Sequence, residues 1–125
     1  MEKKVHDFEF LAKAGPYSHI IEANGFLFCS GMTAVDQEKG IRITDDVTKG
    51  TEIALHNLER ALAGAGSSLH KIVKATVYLR DMGDFTAMNE VYKTFFTANP
   101  PARTCIAVKD IPGNSPVEIE VIAIK

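Results

Sequence analysis

The chain has no tryptophan, only two cysteines and no excess of charge of either sign. No apolar run approaches the roughly 18 residues that a membrane-spanning helix needs, so a membrane protein is not expected. Cys29 and Cys105 lie in apolar, strand-like stretches without a Cys-x-x-Cys pair. That argues against a disulfide framework and for free thiols in a reducing cytoplasm. The opening Met1–Asp7 stretch carries no apolar core of the kind a secretory leader uses. Fourteen basic residues face sixteen acidic ones, for a net charge of −2, and Lys3-Lys4 is the only adjacent basic pair. A nucleic-acid partner would call for a basic stripe, so none is predicted. The four histidines (His6, His19, His56 and His70) have no metal-ligand spacing, and no metal site or cofactor is predicted. There is also no internal repeat, low-complexity segment or linker. With 46% apolar and 24% charged residues over 125 positions, residues 1–125 read as one globular domain.

What is present is a sequence of well-punctuated elements. His19–Ala23 and Phe26–Ser30 flank Asn24-Gly25, a dipeptide that favours positive φ at both turn positions and so predicts a hairpin. Thr44-Asp45-Asp46 supplies N-cap side chains for a helix carrying Val47, Thr51, Ala54, Leu58, Ala61 and Leu62 at helical spacing, with Gly66 placed to end it. Val73–Leu79 reads as a strand, with Val73, Ala75, Val77 and Leu79 alternating against Lys74, Thr76, Tyr78 and Arg80. A second helix is expected from about Asp84 to Phe96. Pro100-Pro101 then forces an extended entry into a strand at 104–108, and Val117–Ile124 forms the last strand. His56 and His70 are expected on solvated surface. Gly31–Ile43 reads as a polar loop. Two helices can cover one face of the sheet, yet several strands are apolar on both sides: Phe26 and Phe28 oppose Leu27, and Ile122 and Ile124 oppose Val121 and Ala123. A second copy of the chain is the simplest cover for the other face, which predicts a homo-oligomer.

Several residues could carry chemistry, each with an ordinary alternative. Arg103 leaves a stiff backbone after two prolines and offers a planar fork suited to a carboxylate, or it is a solvated surface arginine. Glu118 and Glu120 share one strand face with Ile122 and Ile124. They are either proton-handling groups in a partly dry cleft or charges guarding an edge strand. Tyr17, in the Ala14–His19 turn, is a lid or a satellite of the core. Cys105 shares the face of Arg103, as a thiol activated by a cation or as a small buried hydrophobe. Asn89 lies in the second helix, and Gly64-Ala65-Gly66 ends the first helix without cradling a phosphate.

The Gly15-Pro16-Tyr17-Ser18 turn, Ser30-Gly31, Asn57, Ala65-Gly66, Val73–Val77, Asp84-Phe85, Asn89–Tyr92, Pro101-Ala102-Arg103 and Val117–Ala123 occur in a characteristic order. Together they resemble the Rid family of reactive-intermediate imine deaminases, also called YjgF-type or RidA proteins, over essentially the whole chain. The resemblance implies an α+β, chorismate mutase-like single domain, with a mixed sheet of about six strands and two helices on one face. It implies a homotrimer with a central β-barrel and active sites between subunits. It implies hydrolysis of 2-imino and enamine acids such as 2-aminoacrylate and 2-aminocrotonate to 2-oxo acids and ammonia, without a cofactor. By position, Arg103 would bind the substrate carboxylate, Glu118 would handle water, and Tyr17 would orient the substrate. Ser30, Gly31, Asn89 and Cys105 would line the cleft. Met32 and His19 stand where relatives often carry glutamine, which bears on substrate preference. The alternatives are a 2-oxo acid sensor that catalyses nothing and an RNA-cleaving translation inhibitor.

Overall fold

The computed structural model describes residues 2–125. In chain order these form β1 (Lys4–His6), β2 (Ile20–Ala23), β3 (Phe26–Thr33), β4 (Val35–Asp36), β5 (Ile41–Arg42), α1 (Val47–Gly64), β6 (Ile72–Leu79), α2 (Phe85–Phe95), β7 (Ala102–Ala107) and β8 (Val117–Ile124). Six strands make one mixed sheet in the order β1-β2-β3-β8-β6-β7. Every neighbouring pair is antiparallel except β6 and β7, whose parallel pairing requires the crossover that α2 provides. The expected α+β arrangement of a six-stranded mixed sheet with two helices on one face is the one found.

Local chemistry accounts for the boundaries. Asn24 and Gly25 both take positive φ, 53° and 81°, and so turn β2 into β3. Of the three candidate caps, Asp46 is the one used: its Oδ1 accepts the Lys49 N–H at 3.0 Å. At the other end of α1, Gly66 (φ 82°) donates to the Ala63 carbonyl and Ser67 donates to that of Leu62, a Schellman closure.

The core lies between the helices and one face of the sheet. Leu55, Leu58 and Leu62 of α1 and Met88 of α2 pack over Leu27, Val77, Ile119 and their neighbours. On the opposite face Phe26, Phe28, Ile106 and Ile124 remain 38–45% exposed. The double-sided apolar character expected of these strands is therefore present, and within one chain the second face has no helical cover.

Two expectations need correction, and one strand was not foreseen. A bulge between Ile72 and Lys74 puts Ile72 in the core and turns Val73 outward, 41% exposed. The segment 31–43 contains the β4-β5 hairpin, closed by Asp36 accepting from Glu38 and Lys39. The N-terminal β1 joins the sheet against β2, although its three residues carry no periodic signal.

Candidate active site

Arg103 is held on the helix-covered face of the sheet. β7 places it in register with Ala75 of β6, a fully buried core residue, so its side chain rises toward α2. There Nη1 donates to Asn89 Oδ1 at 2.8 Å and lies 4.0 Å from the Met88 sulfur. The guanidinium carbon sits 4.7 Å from the centre of the Tyr92 ring and 5.8 Å from that of Phe85. These four residues recur on one face of α2 at helical spacing, so the helix fixes both the plane and one corner of the guanidinium. Among the described residues, no carboxylate pairs with Arg103. The remaining N–H groups suit an incoming anion. Together with Pro100 and Pro101, Arg103, Asn89 and Tyr92 line a depression of about 410 Å³.

Glu118 belongs to the opposite face. In β8 the buried Val117, Ile119 and Val121 point at the helices, and the alternate Glu118, Glu120 and Ile122 point away. Across the sheet Glu118 meets Thr33 of β3 and Tyr78 of β6. Its carboxyl group lies against Gly31, where a Cβ would fall within 2.8 Å of the Glu118 Cδ. Burial pushes the Glu118 carboxyl above the usual carboxylate range, and the charge of Glu120 adds to the shift. Glu120 accepts a hydrogen bond from the Tyr78 hydroxyl, which raises that phenol to about 12.

Both carboxyls line a larger cavity of about 670 Å³, together with Tyr17, His19, Ser30, Gly31 and Met32. Tyr17 is 42% exposed at its mouth, with its hydroxyl accepting the Ala14 N–H at 3.2 Å. Ser30 donates to the Ser18 carbonyl at 2.7 Å, which ties β3 to the Tyr17 turn. His19 is buried. Its Nδ1 accepts the Phe8 N–H at 3.0 Å, and its backbone N–H donates to Asp7 Oδ1 at 2.9 Å.

The site residues expected from sequence thus fall into two groups. Tyr17, Ser30, Gly31 and Glu118 share the large cavity; Arg103 and Asn89 share the small one. Within one chain these groups lie on opposite faces of the sheet and do not meet. Asn89 is a ligand of Arg103. Cys105 shares the helix-covered face with Arg103, and burial raises its thiol more than the neighbouring guanidinium lowers it. His56 and His70 lie on the surface, His56 beside Glu59.

Three contributors were not read from sequence: Tyr92 and Phe85 against Arg103, and Tyr78 against Glu120. The spacing of Phe85, Met88, Asn89 and Tyr92 marks a single helix face. That it meets Arg103 follows only from the parallel register of β6 and β7. Among the described residues, no cluster of potential metal ligands occurs and no helix is long and apolar enough to cross a membrane.

A family model described as endoribonuclease L-PSP matches residues 9–125. The fission yeast protein mmf1, mitochondrial, is 45% identical over 118 residues, covering 92% of this chain and 72% of that one. The mouse 2-iminobutanoate/2-iminopropanoate deaminase is 39% identical over 114 residues, covering 91% and 84%. The crystal structure of the YjgF gene product of E. coli superposes with a TM-score of 0.91 at 32% identity, over 98% of each chain. The sequence order of motifs, the six-stranded sheet and these matches agree: the chain belongs to the endoribonuclease L-PSP family, the YjgF/Rid family.

Proposed function

We propose that the protein hydrolyses 2-imino acids to 2-oxo acids and ammonia, at sites assembled from two copies of the chain. The observation that carries this reading is the separation of Arg103 from Glu118. An arginine held by α2 with free N–H groups is a carboxylate receptor without a reaction partner. A partly buried glutamate in an open cavity is a base without a substrate anchor. Placed face to face across a subunit boundary, the two halves supply both. The mouse relative's name, an imine deaminase, supports the same chemistry.

In this mechanism Arg103 pairs bidentately with the substrate carboxylate and fixes the adjacent carbon of a protonated C=N group. Glu118 holds a water molecule and accepts its proton as the oxygen bonds to that carbon. The C=N electron pair passes to nitrogen. Glu118 then returns a proton to the nitrogen, the C–N bond breaks and ammonia leaves, while the added hydroxyl gives its proton to Glu118 as a C=O bond forms. A protonated imine is electrophilic enough for water, so every step uses residues of this chain. Tyr17 closes the mouth of the cavity over the substrate.

The apolar second face supports a homo-oligomer, and the family resemblance supports a trimer. Both thiols are free, which suits a reducing compartment such as the cytoplasm. The family description names a ribonuclease, but a cavity lined by Glu118 and Glu120 in a chain of net charge −2 is poorly suited to a polyanion. A dehydratase that generates 2-aminoacrylate, coupled to detection of the 2-oxo acid, tests the proposal. Arg103→Ala should lower kcat/KM by about 10²-fold or more, the loss expected of a doubly hydrogen-bonded ion pair. The oligomer should be unchanged. An unaltered rate would remove Arg103 from the mechanism.

A further inference from the structure

The proposed reaction uses Glu118 and leaves Glu120 unassigned, although the two carboxyls line the same cavity and project from the same strand face, roughly 7 Å apart along β8. Tyr78 stands directly across from Glu118 in the β6-β8 register, yet its hydroxyl reaches diagonally to Glu120, the partner of Thr76. That choice has a chemical consequence. The phenol's hydrogen bond ties the Glu120 carboxylate in place and occupies one of its lone pairs. Glu118 receives no hydrogen bond among the described residues. It is packed over Gly31 and partly desolvated, conditions that favour its protonated form.

We infer that Tyr78 and Glu120 form a positioning pair that makes Glu118, not Glu120, the carboxyl that takes and returns the proton in this cavity. The inference rests on the deaminase reading for the use of that proton, but the pairing stands on the geometry alone. Two carboxyls in one cavity with different surroundings take different roles, here a proton carrier and a hydrogen-bonded neighbour. The neighbour sits on the carrier's own strand and is anchored from the adjacent one. The other titratable or charged groups around the cavity are Tyr17, His19 and Lys13 from the N-terminal segment and Arg42 from β5. Lys13 is neutralised by Asp7 at 2.8 Å, and His19 is engaged through Nδ1. β3 contributes only Gly31 and Thr33 beside Glu118, neither of which titrates.

The test is a carboxyl-carbon NMR titration of the whole protein, with Glu118 assigned from Glu118→Gln. It is run beside the pH profile of kcat for the wild type, Glu120→Gln, Glu120→Asp and Tyr78→Phe. In Glu120→Gln the Glu118 midpoint should move to lower pH. The acidic limb of kcat should follow it, with KM little changed because Arg103 still anchors the carboxylate. Glu120→Asp should restore the wild-type midpoint. Tyr78→Phe, which frees the Glu120 carboxylate, should also shift the Glu118 midpoint and the acidic limb of kcat, and it serves as the readout if Glu120→Gln does not fold. An unmoved Glu118 midpoint in Glu120→Gln, or in Tyr78→Phe, overturns the inference. A Glu118 midpoint that moves while the kcat limb stays fixed leaves the contact standing but overturns the assignment of the proton to Glu118, and with it that residue's place in the proposed reaction.

Discussion

Gly31 has no room for a side chain, because the space a Cβ would occupy is filled by the end of the Glu118 side chain. A glutamate side chain can swing away at little cost to the fold. Gly31→Ala should therefore leave the melting temperature within a few degrees of the wild type while sharply lowering deaminase kcat; equal activity in the two proteins would mean that Glu118's position is not used. The same glutamate links pH to stability. Its pKa is raised in the folded chain above the unfolded value, so the folded state binds the proton more tightly. The stability it contributes is full below the unfolded pKa and declines as pH rises through the folded one. Glu118→Gln should lose this decline, becoming more stable relative to the wild type on going from mildly acidic to neutral pH in parallel urea titrations. At this scale the sequence was legible where a residue acts through its own backbone or its own strand: the Asn24-Gly25 turn, and Glu118 and Glu120 sharing a face. It was silent on Tyr92 under Arg103 and on Tyr78 against Glu120, because each contact joins segments that only the sheet register brings together.

The elements carry the site by being held at both ends. α1 starts at Asp46, whose carboxylate accepts from Lys49, and ends in the turn at Gly66. Removing the cap with Asp46→Ala should lower the unfolding free energy by about 1 kcal/mol, read as a shift in urea midpoint at constant slope, with kcat unaffected. A larger loss together with altered kinetics would mean that α1 does more than cover the sheet. α2 has a second task, because Phe85, Met88, Asn89 and Tyr92 seat the guanidinium of Arg103. The helices were readable from apolar periodicity and caps. The β4-β5 hairpin was not, since two-residue strands leave no period to detect, and the bulge at Ile72–Lys74 reversed the inward set by one position at Val73.

For the whole molecule, one chain holds Arg103 and Glu118 on opposite faces of its sheet, with no helix over the apolar second face. A contact that sets the Arg103 face of one copy against the Glu118 face of the next would be heterologous, and such contacts form a ring where the rotation between copies closes. The two-sided apolar strands led to the expectation of a homo-oligomer, whereas the division of the candidate site residues between faces became visible only with the register of β6, β7 and β8. Mixing two inactive variants tests it directly. Arg103→Ala and Glu118→Gln, unfolded together in equal amounts and refolded, should regain about a quarter of the wild-type rate, because random assembly across heterologous contacts joins an intact arginine to an intact glutamate at that frequency. No recovery from mixed oligomers whose composition mass spectrometry has verified would contradict a site shared between subunits.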